Sequence, residues 1–417
     1  MRILKLTGAV ETRLLAARER RDVQGERVAG KIIADVRRRG DAALFFWTKK
    51  LDGIDLARRG MWVSQREIEE GRQNVSADFE RAVKHAIANV RKVAEKQLPR
   101  NWSMEMEPGV SIGQMVRPIE TIGCYIPGGN STLLSTLVMT AVPAQVAGAK
   151  RIVAVCSRPN NELLAAAGIL GLNEVARIGG AQAVAALAYG TKAIPRVDKI
   201  FGPGNRFVTA AKQLVSRDCA IDLPAGPTEA IVIASKGNPA WIAADLLAQA
   251  EHAPDAASIF VTTSARLARE VQREVAGQLK NLPETNPANV SLKTTGVMLL
   301  AASTDAAFDF VSRFAPEHLS LPEGRSAALE KISAAGTVFF GPWCAQPLGD
   351  YASGSNHVLP TGGWASRRGG LSAADFVKCI SVQTISRQGF KRLAGDVRVL
   401  ARAENLLAHE NAVAVRE

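Results

Sequence analysis

No apolar run in this sequence approaches the roughly 18–20 residues that a membrane-spanning helix needs, which excludes a helical span. Near the start, Glu11, Arg13, Arg18 and Glu19 break up any apolar core of a secretory signal. Cysteine is sparse. The five, Cys124, Cys156, Cys219, Cys344 and Cys379, are isolated, odd in number and form no CxxC. That excludes a disulfide framework and a cysteine zinc site, and it fits reduced thiols in a cytoplasmic protein. Aromatic residues make up only 5% and do not interleave with basic ones, whereas a surface that stacks nucleobases requires both together. The Asn130-Ser131-Thr132 triplet fits a glycosylation sequon but carries no meaning without a secretory route.

What is present is positive charge and a long, ordinary globular composition. The 417 residues suffice for two or three domains with a sizeable core. Lysine and arginine number 52 against 40 acidic residues, a formal charge of +12. The charge is scattered, with only short clusters at 18–21 and 37–39, so no basic stripe for nucleic acid emerges. A basic enzyme surface that draws in an anionic cofactor accounts for it.

Patterning divides the chain. Residues 1–100 look helical: 28–50 has helical spacing broken at Gly40-Asp41, and 79–96 is amphipathic and stopped near Pro99. From about residue 117, short β-branched runs (121–126, 151–156, 174–178, 199–201, 229–234, 258–262 and 337–340) alternate with alanine-rich helical stretches (133–148, 161–170, 181–189, 205–215 and 240–252). Strand–helix alternation implies βαβ units and a mostly parallel sheet. The strands are nearly continuously apolar, as strands covered on both faces should be. After Gly341 the chain turns rich in glycine and proline, and a helical tail is expected from about Ala373 to the end.

Histidine is scarce, and four of the five lie beside an acid or amide: Glu251-His252 with Gln249, Glu317-His318, Asn356-His357, and His409 after Glu404. His85 sits mid-helix with no partner nearby in sequence. Gln249 and His252, three apart, share a helix face near its end, expected at Pro254. They are either nitrogen and oxygen ligands of the kind Zn²⁺ takes or a polar helix end. Glu317 and His318 can split acid and base duties, or open a helix. Asp350 in Leu-Gly-Asp-Tyr is a third ligand or a turn cap. His357 is expected to be a satisfied structural histidine. Three glycine loops, at 125–129, 179–182 and 202–205, follow predicted strands, where α/β proteins bind nucleotides; two lead into helices whose N-termini favour a pyrophosphate.

In order along the chain stand Tyr-Ile-Pro-Gly-Gly (125–129), Gly-Gly-Ala-Gln-Ala-Val-Ala-Ala-Leu-Ala-Tyr-Gly-Thr (179–191), Val-Asp-Lys-Ile-Phe-Gly-Pro-Gly-Asn (197–205), Ala-Gly-Pro-Thr-Glu (225–229), Ala-Ala-Asp-Leu-Leu-Ala-Gln-Ala-Glu-His (243–252), Ala-Pro-Glu-His-Leu (315–319), Leu-Gly-Asp-Tyr (348–351), Asn-His-Val-Leu-Pro-Thr-Gly (356–362) and Ala-His-Glu-Asn-Ala-Val (408–413). This ordered set resembles the histidinol dehydrogenase family over nearly the whole chain.

The resemblance implies two incomplete Rossmann-like α/β domains, doubly wound and mostly parallel, plus a helical N-terminal region and a helical C-terminal tail. Residues 119–224 would carry the cofactor loops. Residues 21–118 and 225–372 would carry zinc and substrate, and 1–20 with 373–417 the dimer contacts. One Zn²⁺ per site would be held by Gln249, His252, Asp350 and, from the partner subunit of a homodimer, the residue matching His409. Glu317 and His318 would be the catalytic pair. NAD would meet Tyr125, Gln182 and Asn205. L-Histidinol would meet Thr228, Gln249, His252, His318 and Asp350, with Glu404 and His409 reaching in from the partner's tail. The implied reaction is the four-electron, NAD-dependent oxidation of L-histidinol to L-histidine, closing histidine biosynthesis in the cytoplasm with no nucleic-acid or membrane partner. Two departures stand out. Thr228 replaces the family's usual serine, and Leu133-Leu134 occupy a stretch that often holds tyrosine-proline. Competing readings are a paralogue oxidising another polar alcohol such as a sulfonated diol, a zinc hydrolase using Glu317, and a basic nucleic-acid-binding protein.

Overall fold

The seven β-branched runs all form strands, and the alanine-rich stretches between them form helices. This computed structural model describes residues 1–18, 22–129, 132–224 and 226–417. Asn130 and Ser131 of the sequon, residues 19–21 of the first basic cluster, and Ala225 lie outside those described.

One parallel sheet has five strands in the order Val175–Ala176, Arg151–Val155, Thr121–Tyr125, Lys199–Phe201, Ala220–Ile221. The strand period of two sends successive side chains to opposite faces. Tyr125, Val153, Val155 and Ile200 enter one apolar core. Ile122, Cys124, Ala154 and Phe201 enter the other. The helices Val23–Arg39 and Asp41–Asp52 close the first core.

A second parallel sheet has six strands in the order Arg2–Lys5, Val297–Leu300, Ala257–Thr262, Glu229–Ile233, His318–Leu321, Thr337–Phe340. It too is covered on both faces, by Ile231, Val261 and Leu299 on one side and Val232, Phe260 and Met298 on the other. This is the mostly parallel, doubly wound arrangement expected.

Two segments differ from expectation. The opening residues Arg2–Lys5 form an edge strand of the six-stranded sheet rather than helix. The tail from Ala373 is not helical throughout. Val377–Ile385 is a nine-residue strand, antiparallel to Val110–Pro118, which pairs in turn with Trp102–Glu107. Its sequence, Val-Lys-Cys-Ile-Ser-Val-Gln-Thr-Ile, carries three β-branched positions at even spacing, a strand signature that outweighs its position in the chain. Helices Arg387–Ala403 and Leu407–Ala414 then complete the tail. The three-stranded sheet leaves Trp102, Met104, Met106, Ile380, Val382 and Ile385 exposed.

Candidate active site

The reacting groups gather at the amino ends of two neighbouring strands of the six-stranded sheet. Thr228 immediately precedes strand Glu229–Ile233, and Glu317 and His318 open strand His318–Leu321, whose first residue pairs with Ala230. Parallel pairing therefore sets Thr228 beside Glu317. Thr228 Oγ1 donates to Glu317 Oε2, and the Glu229 backbone N–H donates to the same oxygen at 2.9 Å. Both side chains of the pair are buried, Glu317 at 7% and His318 at 5% exposure. His318 Nδ1 lies 3.2 Å from the Glu229 carbonyl and 3.6 Å from Glu317 Oε2. A carbonyl only accepts, so this contact assigns the proton to Nδ1 and leaves the Nε2 lone pair free.

Burial pushes the Glu317 carboxyl up to about 7, against the opposing hydrogen bonds from Thr228 and Glu229. Burial pushes His318 down to about 4, with Asp350 opposing. The imidazole is thus neutral and basic-competent at neutral pH, and the carboxyl sits near the middle of its titration.

Helix Pro239–Ala250 delivers the next two groups. Asn238 caps it by accepting from the Ala240 N–H, with Pro239 in its first turn. The helix ends at Ala250, two residues before the expected end, and His252 follows in a turn whose N–H bonds Gln249 O. Buried Gln249 donates from Nε2 to Thr228 Oγ1 at 2.7 Å, which commits the amide nitrogen and leaves its oxygen for another partner. His252 Nδ1 lies 2.9 Å from Ala248 O, leaving Nε2 unengaged by that contact. Asp350 comes from a short helix, Gln346–Tyr351, inside the segment that glycine and proline had marked as loop. Its carboxyl is raised by burial, while His318 and His252 act against that rise. Gln249, His252, Asp350, Glu317 and His318 therefore share one neighbourhood.

The donor set left open there, an amide oxygen, an imidazole nitrogen and a carboxylate, fits Zn²⁺ chemically. Among the described residues no three His, Cys, Asp or Glu side chains gather closely enough to hold a metal by themselves. Glu404 and His409 lie elsewhere in this chain, exposed on the C-terminal tail at the end of helix Arg387–Ala403 and within Leu407–Ala414.

The cofactor candidates lie at the carboxyl ends of the five-stranded sheet. Tyr125 ends its strand, and its hydroxyl accepts from the Gly180 N–H at 2.9 Å. Gln182 is fully buried and donates from Nε2 to Asp52 Oδ2 at 3.1 Å. Asn205 caps helix Arg206–Val215, accepting from Phe207 and Val208 N–H groups. Gly202 has φ +112°, and a Cβ there would meet Tyr125 O at 2.1 Å, so the loops containing Tyr125 and Asn205 touch only because residue 202 is glycine.

Three features escaped the sequence reading. Arg18 forms a two-pronged ion pair with buried Glu229, Nε to Oε1 at 2.7 Å and Nη2 to Oε2 at 2.9 Å, directly behind the Glu317 anchor. An acidic residue opening an apolar strand was the available signal. His357 is only partly satisfied: backbone groups of His357 and Ser135 hydrogen-bond its ring, while Nε2 is buried with no hydrogen-bond partner among the described residues, and the ring senses His318 and His252. His85 does have a sequence-near partner, Asn89 Nδ2 at 3.1 Å from Nε2.

Two parallel α/β sheets, one of them with a buried acid–histidine pair at the amino ends of two neighbouring strands, define the class: a two-sheet α/β protein with an acid–base site. The model of the histidinol dehydrogenase family matches residues 16–417, and this chain belongs to that family. It is 45% identical over 386 residues to the histidinol dehydrogenase of Methanothermobacter thermautotrophicus, covering 91% of this chain and 90% of that one. It is 43% identical over 394 residues to that of Methanosarcina mazei, covering 92% and 90%. The crystal structure of histidinol dehydrogenase from Elizabethkingia anophelis superimposes with TM-score 0.93 at 35% identity, covering 100% of this chain and 98% of that one.

Proposed function

We propose that this chain oxidises L-histidinol to L-histidine through the aldehyde, with NAD as oxidant, as the closing steps of histidine biosynthesis in the cytoplasm. The observation that carries the reading is the buried Thr228–Glu317–His318 cluster facing Gln249, His252 and Asp350. Gln249, His252 and Asp350 would hold Zn²⁺ with His409 of a second subunit, and the ion would anchor and orient the substrate's nitrogens. His318 Nε2 takes the hydroxyl proton as hydride leaves the carbinol carbon. Glu317 takes a proton from the water that adds to the aldehyde, and its near-neutral pKa suits that exchange. His318 serves again as the hydrate loses its hydride. Thr228 keeps the hydroxyl of the usual serine, and that hydroxyl fixes both Glu317 and Gln249. Tyr125, Gln182 and Asn205 would meet NAD.

The homodimer is proposed from two observations. His409 and Glu404 are exposed on the tail, and the three-stranded sheet beside it leaves Trp102 and Met104 uncovered on one face and Ile380 and Val382 on the other, apolar surface of the kind that marks association. Among the described residues no helix is long and apolar enough to cross a membrane, and the cysteines are unpaired, as a reducing compartment requires.

The test is NADH production from L-histidinol before and after chelator treatment, beside a sulfonated diol as competitor substrate. NADH from L-histidinol, abolished by chelation and restored by Zn²⁺, supports the reading; NADH from the diol alone overturns it.

A further inference from the structure

Each parallel sheet has one place where its connections part to opposite sides. In the five-stranded sheet it falls between Thr121–Tyr125 and Lys199–Phe201, where Tyr125 and Gly202 meet. In the six-stranded sheet it falls between Glu229–Ile233 and His318–Leu321. The crevice outside the carboxyl ends of strands at such a point is the usual ligand position in open α/β sheets. Thr228, Glu317 and His318, however, stand at the amino ends of these two strands. The carboxyl-end crevice of the six-stranded sheet takes no part in the reaction proposed above.

That crevice is a cavity of about 190 Å³. Trp241 and Asp245, one turn apart on helix Pro239–Ala250, line it on one side, and Ser320 and Phe339 on the other. Trp343, 78% exposed, packs its ring on that of Trp241 at 5.1 Å and does not itself line the cavity. Ser320 is only 2% exposed, and its Oγ has no hydrogen-bond partner among the described residues. Burial raises the Asp245 carboxyl to about 6; no cationic side chain acts on it, and the Gln346 backbone N–H alone favours its charge. In a chain of net charge +12, no lysine or arginine lines this cavity.

The position that would take a phosphate is already filled. Glu323 Oε1 accepts from the backbone N–H groups of Ser235 at 2.6 Å and Lys236 at 3.1 Å, just past strand Glu229–Ile233. An anionic ligand in the cavity would meet the Asp245 carboxylate. An indole, a carboxylate and a free hydroxyl acceptor instead suit a small cation with N–H donors. The volume is below the about 300 Å³ at which larger ligand pockets begin, so the occupant is a group of a few heavy atoms.

We propose that this crevice is a second ligand site, which binds a small organic cation of the primary alkylammonium or guanidinium class beside Trp241. Asp245 supplies the counter-charge, and Ser320 Oγ accepts one of the ligand's N–H groups.

The probe is n-butylammonium chloride, with n-butanol as the neutral isostere and sodium chloride as the ionic-strength control. Binding to the full-length protein is read by tryptophan fluorescence and by ligand-observed saturation-transfer NMR. The expected result is saturable binding of n-butylammonium in the millimolar range, absent for n-butanol. Its dissociation constant should rise about tenfold or more in Trp241→Ala and Asp245→Asn, a loss of about 1.4 kcal/mol at tenfold. Trp241 is 44% exposed, so its replacement leaves the core intact and keeps the test readable if Asp245→Asn fails to fold. Equal saturable binding of n-butanol, undiminished binding in Trp241→Ala, or no saturable binding of n-butylammonium at all would each overturn the proposal. Capture of the amine in the reaction centre would show as undiminished binding in Trp241→Ala.

Discussion

Thr228 joins the two functions of the reaction centre. Its hydroxyl hydrogen goes to Glu317, and its lone pair receives the Gln249 amide, so one side chain orients a proton-transfer group and a metal-ligand candidate. His318 differs from a surface histidine because burial removes the cost-free option of charging, leaving a neutral ring with a fixed tautomer. From this, His318→Asn should lower turnover by about 10²–10⁴-fold, the usual worth of a positioned general base, while zinc content by elemental analysis stays at the wild-type level. Glu317→Gln should slow aldehyde oxidation more than alcohol oxidation, because only the second half needs water. Single-turnover rates with each substrate separate the two steps, and equal losses in both would remove Glu317 from the water-activating role. The identity of both residues was legible in the adjacent Glu-His pair. Their burial and the Arg18–Glu229 pair behind them were not, since Arg18 sits 211 positions from its partner in a run that reads as surface charge.

Individual elements are held by a few buried polar contacts as well as by apolar packing. The loop that carries Asn205 is fastened by Lys212 and Asp222, at 3% and 0% side-chain exposure. Lys212 Nζ donates to Gly202 O at 2.8 Å, and Asp222 Oδ2 accepts from the Gly202 N–H at 2.7 Å. Lys212→Met strands a carboxylate in the core and should destabilise the protein by about 3–5 kcal/mol, read as a fall in denaturation midpoint, with the KM for NAD rising in whatever protein remains folded. Helix Gln65–Gln73 is fastened differently, by a reciprocal cap between Ser64 and Glu67 and by Arg177 from the neighbouring layer. The Ser64 backbone N–H, followed by Arg177, holds Glu67 down to about 2 from 4.5. A depressed carboxyl stabilises the fold above its unfolded pKa and loses that contribution as pH falls through the folded one. Acid unfolding should therefore weaken between about pH 4.5 and 2 in Glu67→Gln relative to wild type, by a modest amount because Glu67 is partly exposed. Seven of the eleven strands described in the two parallel sheets were legible as apolar β-branched runs; Arg2–Lys5 was read as helix, and the short strands Ala220–Ile221, Val297–Leu300 and His318–Leu321 were not singled out. The strand Val377–Ile385 was missed because the segments after it are helical and its partner, Val110–Pro118, lies more than 250 residues earlier. Pairing of that range leaves no local mark beyond alternation.

At the scale of the whole molecule, the geometry of one chain leaves the proposed metal set one member short. Gln249, His252 and Asp350 share a neighbourhood with Glu317 and His318, while His409 sits exposed on a tail packed against helix Arg387–Ala403. The proposed two-fold dimer would supply the missing group twice, since each tail would then complete the other's site. That arrangement makes a prediction that no single-chain site shares. His318→Asn and His409→Asn each inactivate their own homodimers. In a hybrid, the chain bearing His409→Asn retains His318 and receives an intact His409 from its partner, so one of the two sites is wild type. Random reassortment of equal amounts gives half hybrids, and activity should return to about one quarter of wild type. The measurement is NADH production after co-unfolding and refolding the two variants, or after co-expression with separable tags and isolation of the doubly tagged dimer, where the value rises to about one half. If His409 acted within its own chain, every site in every mixture would lack one of the two histidines, and no activity would return.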